Sequence, residues 1–163
     1  MGRVFFNTRE NAHALTASDS AYQMLSSDSG KTFILDTNTA LAITLPADAD
    51  ISIGWNARFL MVTDHANTAI TITSAAPDAQ NIIGGLNVQM TAACAASTFQ
   101  GYITSAIGDT NSRIALDHDL DDNQASVGTN FTIMKTAANT FFVEGHLATV
   151  DADGTGAAVF SNV

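Results

Sequence analysis

The chain is poor in cysteine, in positive charge and in long apolar runs, and each shortage removes a class of protein. A single cysteine, Cys94, excludes an intrachain disulfide, and its neighbours Ala92, Ala93, Ala95 and Ala96 predict a small buried thiol with no reactive setting. Six Lys and Arg against sixteen Asp and Glu leave a formal net charge of −10, which repels phosphate backbones and anionic lipid headgroups. Neither nucleic acid nor membrane is therefore expected as a partner. No stretch approaches the roughly 18 apolar residues of a transmembrane helix. The first residues hold only the short apolar run Val4-Phe5-Phe6 and no signal-peptide core, so a soluble protein made without export is expected.

Catalytic patterns are missing as well. There is no G-x-S-x-G elbow and no G-x-x-x-x-G-K phosphate loop, and Lys31 after Gly30 reads as turn chemistry. The histidines His13, His65, His118 and His146 are scattered, with no i, i+4 pair to hold zinc. Fourteen of the sixteen acids are Asp, a residue favoured in turns and disfavoured inside strands and helices, which places the charge on loops. No pocket is implied that would split the pKa values of a carboxylate pair. We expect no enzyme, no catalytic residue and no cofactor.

What is present is β-sheet patterning. Apolar residues make up 46% of the chain and charged residues 13%, about half of the usual roughly 25%. Leu41, Ile43 and Leu45 fall on one face of a strand, with Ala42 and Thr44 on the other, and Pro46 ends the run. Further strands are predicted at 32–35, 59–62, 70–73, 86–90, 99–103, 113–116, 131–135 and 140–150; the run Phe59-Leu60-Met61-Val62 reads as too apolar to be half exposed. Turns are predicted at Asp28-Ser29-Gly30, Asp48 to Gly54, Asp64 to Asn67, Gly84-Gly85, Gly108-Asp109 and Ala137-Ala138-Asn139. This spacing predicts an all-β domain, a β-sandwich or jelly roll, over residues 26–163. No repeat of fixed period stands out, which argues against a solenoid. Residues 1–25 lack the alternation and read as an N-terminal arm, with a short helix over Glu10 to Leu15 as an option.

An ordered set of short strings resembles a group of small bacteriophage structural proteins. It runs Ser27-Asp28-Ser29-Gly30-Lys31-Thr32-Phe33-Ile34-Leu35, then Ile43-Thr44-Leu45-Pro46, then Gly54 ahead of Phe59, then Ile70-Thr71-Ile72 and Ile82-Ile83-Gly84-Gly85. Gly108-Asp109 and Thr140-Phe141-Phe142-Val143-Glu144-Gly145 are similar to that group's later turn and closing strand, so the likeness covers about residues 27–145. The chain departs from the pattern in its longer N-terminus and in Phe141-Phe142, where the group more often has Trp. The resemblance implies a capsid decoration, or cement, protein: a homotrimer on the virion's capsid surface, partnered with the major capsid protein and stabilising the phage head. Under that implication Arg3, Val4, Phe5, Phe6 and Arg9 would contact the acidic shell. Similar modules in tail fibres keep an alternative open, a receptor-binding module recognising a host surface glycan. Trp55 and Tyr102 are the large amphipathic side chains for such a surface, although either fits a core.

Two acidic strings invite a metal. Asp117, Asp119, Asp121 and Asp122 around His118 could supply oxygens to calcium, but a solvated acidic loop is the simpler expectation. Asp151-Ala152-Asp153-Gly154-Thr155-Gly156 imitates the start of an EF-hand loop, yet its twelfth position is Asn162, not the bidentate Glu, and it reads as a glycine-rich turn.

Overall fold

The computed structural model describes residues 11–63, 70–77, 79–90, 100–104, 111–116, 125–149 and 160–161. Their strands are β1 (Ala12–Thr16), β2 (Ala21–Gln23), β3 (Lys31–Asp36), β4 (Leu41–Thr44), β5 (Asn56–Met61) and β6 (Ile70–Thr73), followed by β7 (Asn81–Met90), β8 (Gln100–Thr104), β9 (Arg113–Leu116), β10 (Asn130–Ala137), β11 (Thr140–Thr149) and β12 (Phe160–Ser161). They form a seven-stranded sheet in the order β1-β3-β5-β10-β11-β7-β8 and a five-stranded sheet in the order β12-β9-β6-β4-β2. One cluster of buried apolar side chains draws on both sheets, so the architecture is two layers over one core. The all-β class expected from the sequence is the class observed.

The winding is less regular than any standard sandwich. From β1 to β6 the chain alternates between the sheets, and each strand lies parallel to the one two places before it. These are three coils of a short solenoid, contrary to the sequence reading. Thr32 lies between Ala12 and Arg58, and Ala42 between Ala21 and Thr71, so the coils advance by about 20 and then 26 residues in one sheet and by about 21 and then 29 in the other. Unequal coils leave no fixed period for a sequence to reveal. After β6 the chain completes both sheets with antiparallel pairs, β10 with β5 and β11, β7 with β8, and β9 with β6 and β12, while β11 lies parallel to β7. A jelly roll's paired Greek keys are antiparallel, so its strand order is not the one adopted.

The N-terminal segment is also more integrated than expected. Ala12–Thr16 is a strand and not a helix, and Leu15 and Met24 are fully buried in the core. The body therefore begins before residue 26. Residues 1–10 lie outside the described residues.

Alternation sorts the side chains. In β4, Leu41 and Ile43 are buried while Ala42 is exposed and Thr44 half-buried, as predicted. In β5, Phe59 and Met61 point inward, but Leu60 is half-buried and Val62 is 39% exposed, so the run expected to be wholly buried has an outer face. The inward row of the large sheet is aromatic. Phe33 stacks on Phe59 with centroids 5.5 Å apart, Phe59 on Phe131 at 5.2 Å, and His13 meets Phe33 edge-on at 5.7 Å. These pairs follow the register Phe33–Phe59–Phe131, and each contributes about 0.5–1.5 kcal/mol beyond the area it buries.

The next residue in that register is Gly145. A Cβ there would collide with the Asn130 carbonyl and with the Cα and Cβ of Phe131, so β11 approaches β10 closely through a missing side chain. Gly84, with φ 111°, has the same role in the adjoining strand: a Cβ would strike the Val143 carbonyl. The predicted turn at Gly84-Gly85 is thus the interior of β7, where glycine marks close backbone approach and not reversal. We expect Gly145→Ala to lower stability by on the order of 3 kcal/mol, from overpacking against β10. Gly54→Ala, at φ 94° but facing open space, should cost only about 1 kcal/mol for its backbone conformation. Urea melts of both variants measure the difference, and equal losses would refute the collision at Gly145.

Candidate functional site

Two polar anchors organise the end of the body where the strands turn. The first is the Ser27 to Lys31 string. Ser26–Asp28 makes a single 3-10 turn, and Asp28 is 2% exposed. One carboxylate oxygen of Asp28 accepts from the Leu25 N–H at 2.8 Å and the Tyr22 hydroxyl at 3.3 Å, and the other pairs with Lys31 Nζ at 2.8 Å. Gly30, at φ 81°, turns the chain so that its N–H donates to the Asn56 carbonyl at 2.7 Å. Lys31 is therefore turn chemistry, as read from the sequence. Trp55 belongs to the same corner: it is 4% exposed, stands edge-on to Phe141 at 6.3 Å, and donates from Nε1 to the Leu25 carbonyl at 3.3 Å.

The second anchor, Lys135, escaped the sequence reading. It is 5% exposed, and its Nζ donates to the carbonyls of Asp48 at 2.7 Å and Ile51 at 2.9 Å while pairing with the Asp48 carboxylate at 2.7 Å. Three donors meet three acceptors, which satisfies a buried ammonium. The Lys135 hydrogen bond, reinforced by the Asn139 N–H, holds the Asp48 carboxyl below its ordinary value. Alternation would have revealed the position, since Lys135 shares the inward face of Phe131 and Ile133.

Two surface depressions are present. A groove of about 600 Å³ lies beside the first anchor, lined by Gln23, Met24, Leu25, Pro46, Ala47 and Asp50 among others. A shallow dish of about 400 Å³ lies on the outer face of the large sheet, where Arg58, Thr132 and Glu144 occupy one row and Asn130 and Asn87 the next. The dish presents amide, hydroxyl, guanidinium and carboxylate groups on rigid strands, suited to hydrogen-bonding a polar ligand. It contains no nucleophile and base in contact.

The residues singled out from sequence fall unevenly. Arg3, Val4, Phe5, Phe6 and Arg9, the acidic string Asp117, Asp119, Asp121 and Asp122, Cys94, His65, His118 and the Asp151–Gly156 segment all lie outside the described residues. His13 packs on Tyr22 at 5.0 Å as well as on Phe33. His146 sits in β11 between Asn130 and Asn87, and Tyr102 pairs in register with Asn87. Among the described residues no group of three His, Cys, Asp or Glu side chains is placed to hold a metal ion, and no helix is long and apolar enough to cross a membrane.

Asp28→Ala strips partners from Leu25, Tyr22 and Lys31 together, and we expect a loss of about 3 kcal/mol in denaturant melts. Burial pushes the Tyr22 hydroxyl above its ordinary 10.0, with the Asp28 charge adding and Lys31 opposing. A raised value favours the neutral ring in the folded protein, so its contribution is full below pH 10 and is lost as pH rises through the folded value. Tyr22→Phe should therefore flatten the alkaline limb of the stability curve; an unaltered limb would dismiss the linkage. Set against known proteins, the chain matches no protein family, no curated protein and no solved structure.

Proposed function

We propose that this chain is a non-enzymatic virion structural protein of the capsid decoration type, which binds the outer surface of a phage head as a homotrimer and stabilises it. One observation carries the reading. The strings that resemble the decoration proteins fall on the supports of a single two-layer body: Asp28 and Lys31 in a buried ion pair, Leu45 and Pro46 at the end of β4, and Gly84 and Gly145 at close backbone approaches. A fold held in common with that group would need residues of these kinds at such supports. The outer face of the large sheet adds support, because Ile34, Leu60, Ile83, Met134 and Phe142 remain partly exposed on it. Burying such surface between a decoration protein and a shell links subunits whose separation would re-expose it.

The dish at Arg58, Asn87, Thr132 and Glu144 favours the second reading, a tail-fibre or receptor-binding module, since such groups recognise sugar hydroxyls. Particles purified from the source of this chain separate the two. Decoration requires a copy number comparable to that of the major capsid protein, and a fibre requires one far below it. Absence from the particle removes both. The arm is tested on bare heads with residues 2–10 deleted, a cut that spares β1 and its buried Leu15. We expect binding to fall while thermal stability holds; undiminished binding would leave Arg3, Val4, Phe5, Phe6 and Arg9 without a role at the shell.

A further inference from the structure

We propose that the edge of the first coil, β1 in one sheet and β2 in the other, on which no described strand lies, receives a strand from a neighbouring copy of this chain. The inference deepens the assembly reading above by naming the surface.

Hydrogen-bond phase defines the edge. In a parallel ladder a residue turns its N–H and C=O to the same side, and the next residue turns them to the opposite side. The Thr32 N–H donates to the Asn11 carbonyl at 2.7 Å, so Asn11, His13 and Leu15 address β3, while Ala12, Ala14 and Thr16 address the outside. Thr16 is closed off by Asp19, whose carboxylate takes its N–H at 2.8 Å and whose own N–H reaches its carbonyl at 2.9 Å. Ala12 and Ala14 are left. In β2 the Ser20 carbonyl accepts from Ala42 and the Met24 N–H donates to Thr44, which leaves Ala21 and Gln23 turned outward. All four side chains are exposed.

Edge strands ordinarily carry a charge, a proline or a bulge that discourages strand addition. Neither AHALT nor AYQ contains a charged residue or a proline, and neither register is broken. An apolar border adjoins the backbone edge, for Leu25 follows β2 at 57% exposure on the rim of the groove. Charge selects the occupant. At −10, two copies repel across most of their surfaces, and an edge whose strands carry no charged side chain is where they can approach. A basic partner would gather instead at the acid-bearing turns. A copy brings a matching extended edge, and closed symmetric assemblies of one chain are the commonest kind.

Sedimentation velocity over a concentration series tests the proposal, together with amide hydrogen exchange. The full chain should sediment at a multiple of 17.0 kDa, and the Ala12 and Ala14 amides should exchange more slowly as concentration rises. Ala14→Pro removes an outward donor without touching the β3 ladder, and Ala12→Lys places a charge on the edge. Both should sediment as monomers. If Ala14→Pro does not fold, Ala12→Lys at its exposed position decides alone. A wild-type monomer at every concentration, or variants that keep the wild-type mass, overturns the proposal. Binding to bare heads is read separately: assembly through this edge without head binding sinks the virion reading alone, and a monomer that binds heads sinks the edge alone.

Discussion

The stack of Phe33, Phe59 and Phe131 is the contact on which the rest of the molecule depends. It runs across the large sheet through the seam where the parallel coils end and the antiparallel strands begin, because β5 pairs on one side with β3 and on the other with β10. Among the described residues no other inward row joins the two halves through rings alone. The register continues to Gly145 in β11, where a Cβ would meet the Asn130 carbonyl and the Phe131 Cα, and the same strand's Val143 backbone lies against Gly84. Gly84, which looks like a turn signal in the sequence, is thus a point of close backbone approach.

Charge is sparse, and of the four described basic side chains three hold turns or strand ends. Lys31 and Lys135 each hold a turn through a buried or half-buried ion pair, and Arg113 donates to Ser161 across β9 and β12. Of the described basic side chains, only Arg58 is spread on a sheet face. Polar anchoring of turns, rather than ion pairs between strands, is what fixes the ends of the two layers.

Strand positions were readable because alternation acts over four or five residues, and Leu41-Ala42-Ile43-Thr44 illustrates it. The path between strands was not. Parallel and antiparallel neighbours demand the same alternation, and nothing in Thr32 or Ala42 advertises which distant strand lies beside it. Short strands hide too: Ala21–Gln23 has three residues, none strongly apolar, and takes its place only through β4. Gly84-Gly85 misled because glycine serves both reversal and close approach, and the choice rests on Val143 nearly sixty residues later. Of the functional features, the Asp28–Lys31 turn was visible as a local string, whereas the dish assembles side chains from β5, β7, β10 and β11 that no local pattern connects.

The alternation of the first six strands between sheets also governs how the chain can fold. Neither layer can be completed from consecutive residues, so each of the first coils must close a long loop before it gains a neighbour, a topology associated with slow folding. The β10–β11 hairpin, closed by Ala138 and Asn139, is local by comparison, yet it is made last among the partners of β5. As the polypeptide leaves the ribosome, β5 must wait with the Phe131 side of its Phe59 ring uncovered until Phe131 emerges, and the sheet's central seam is sealed late in synthesis.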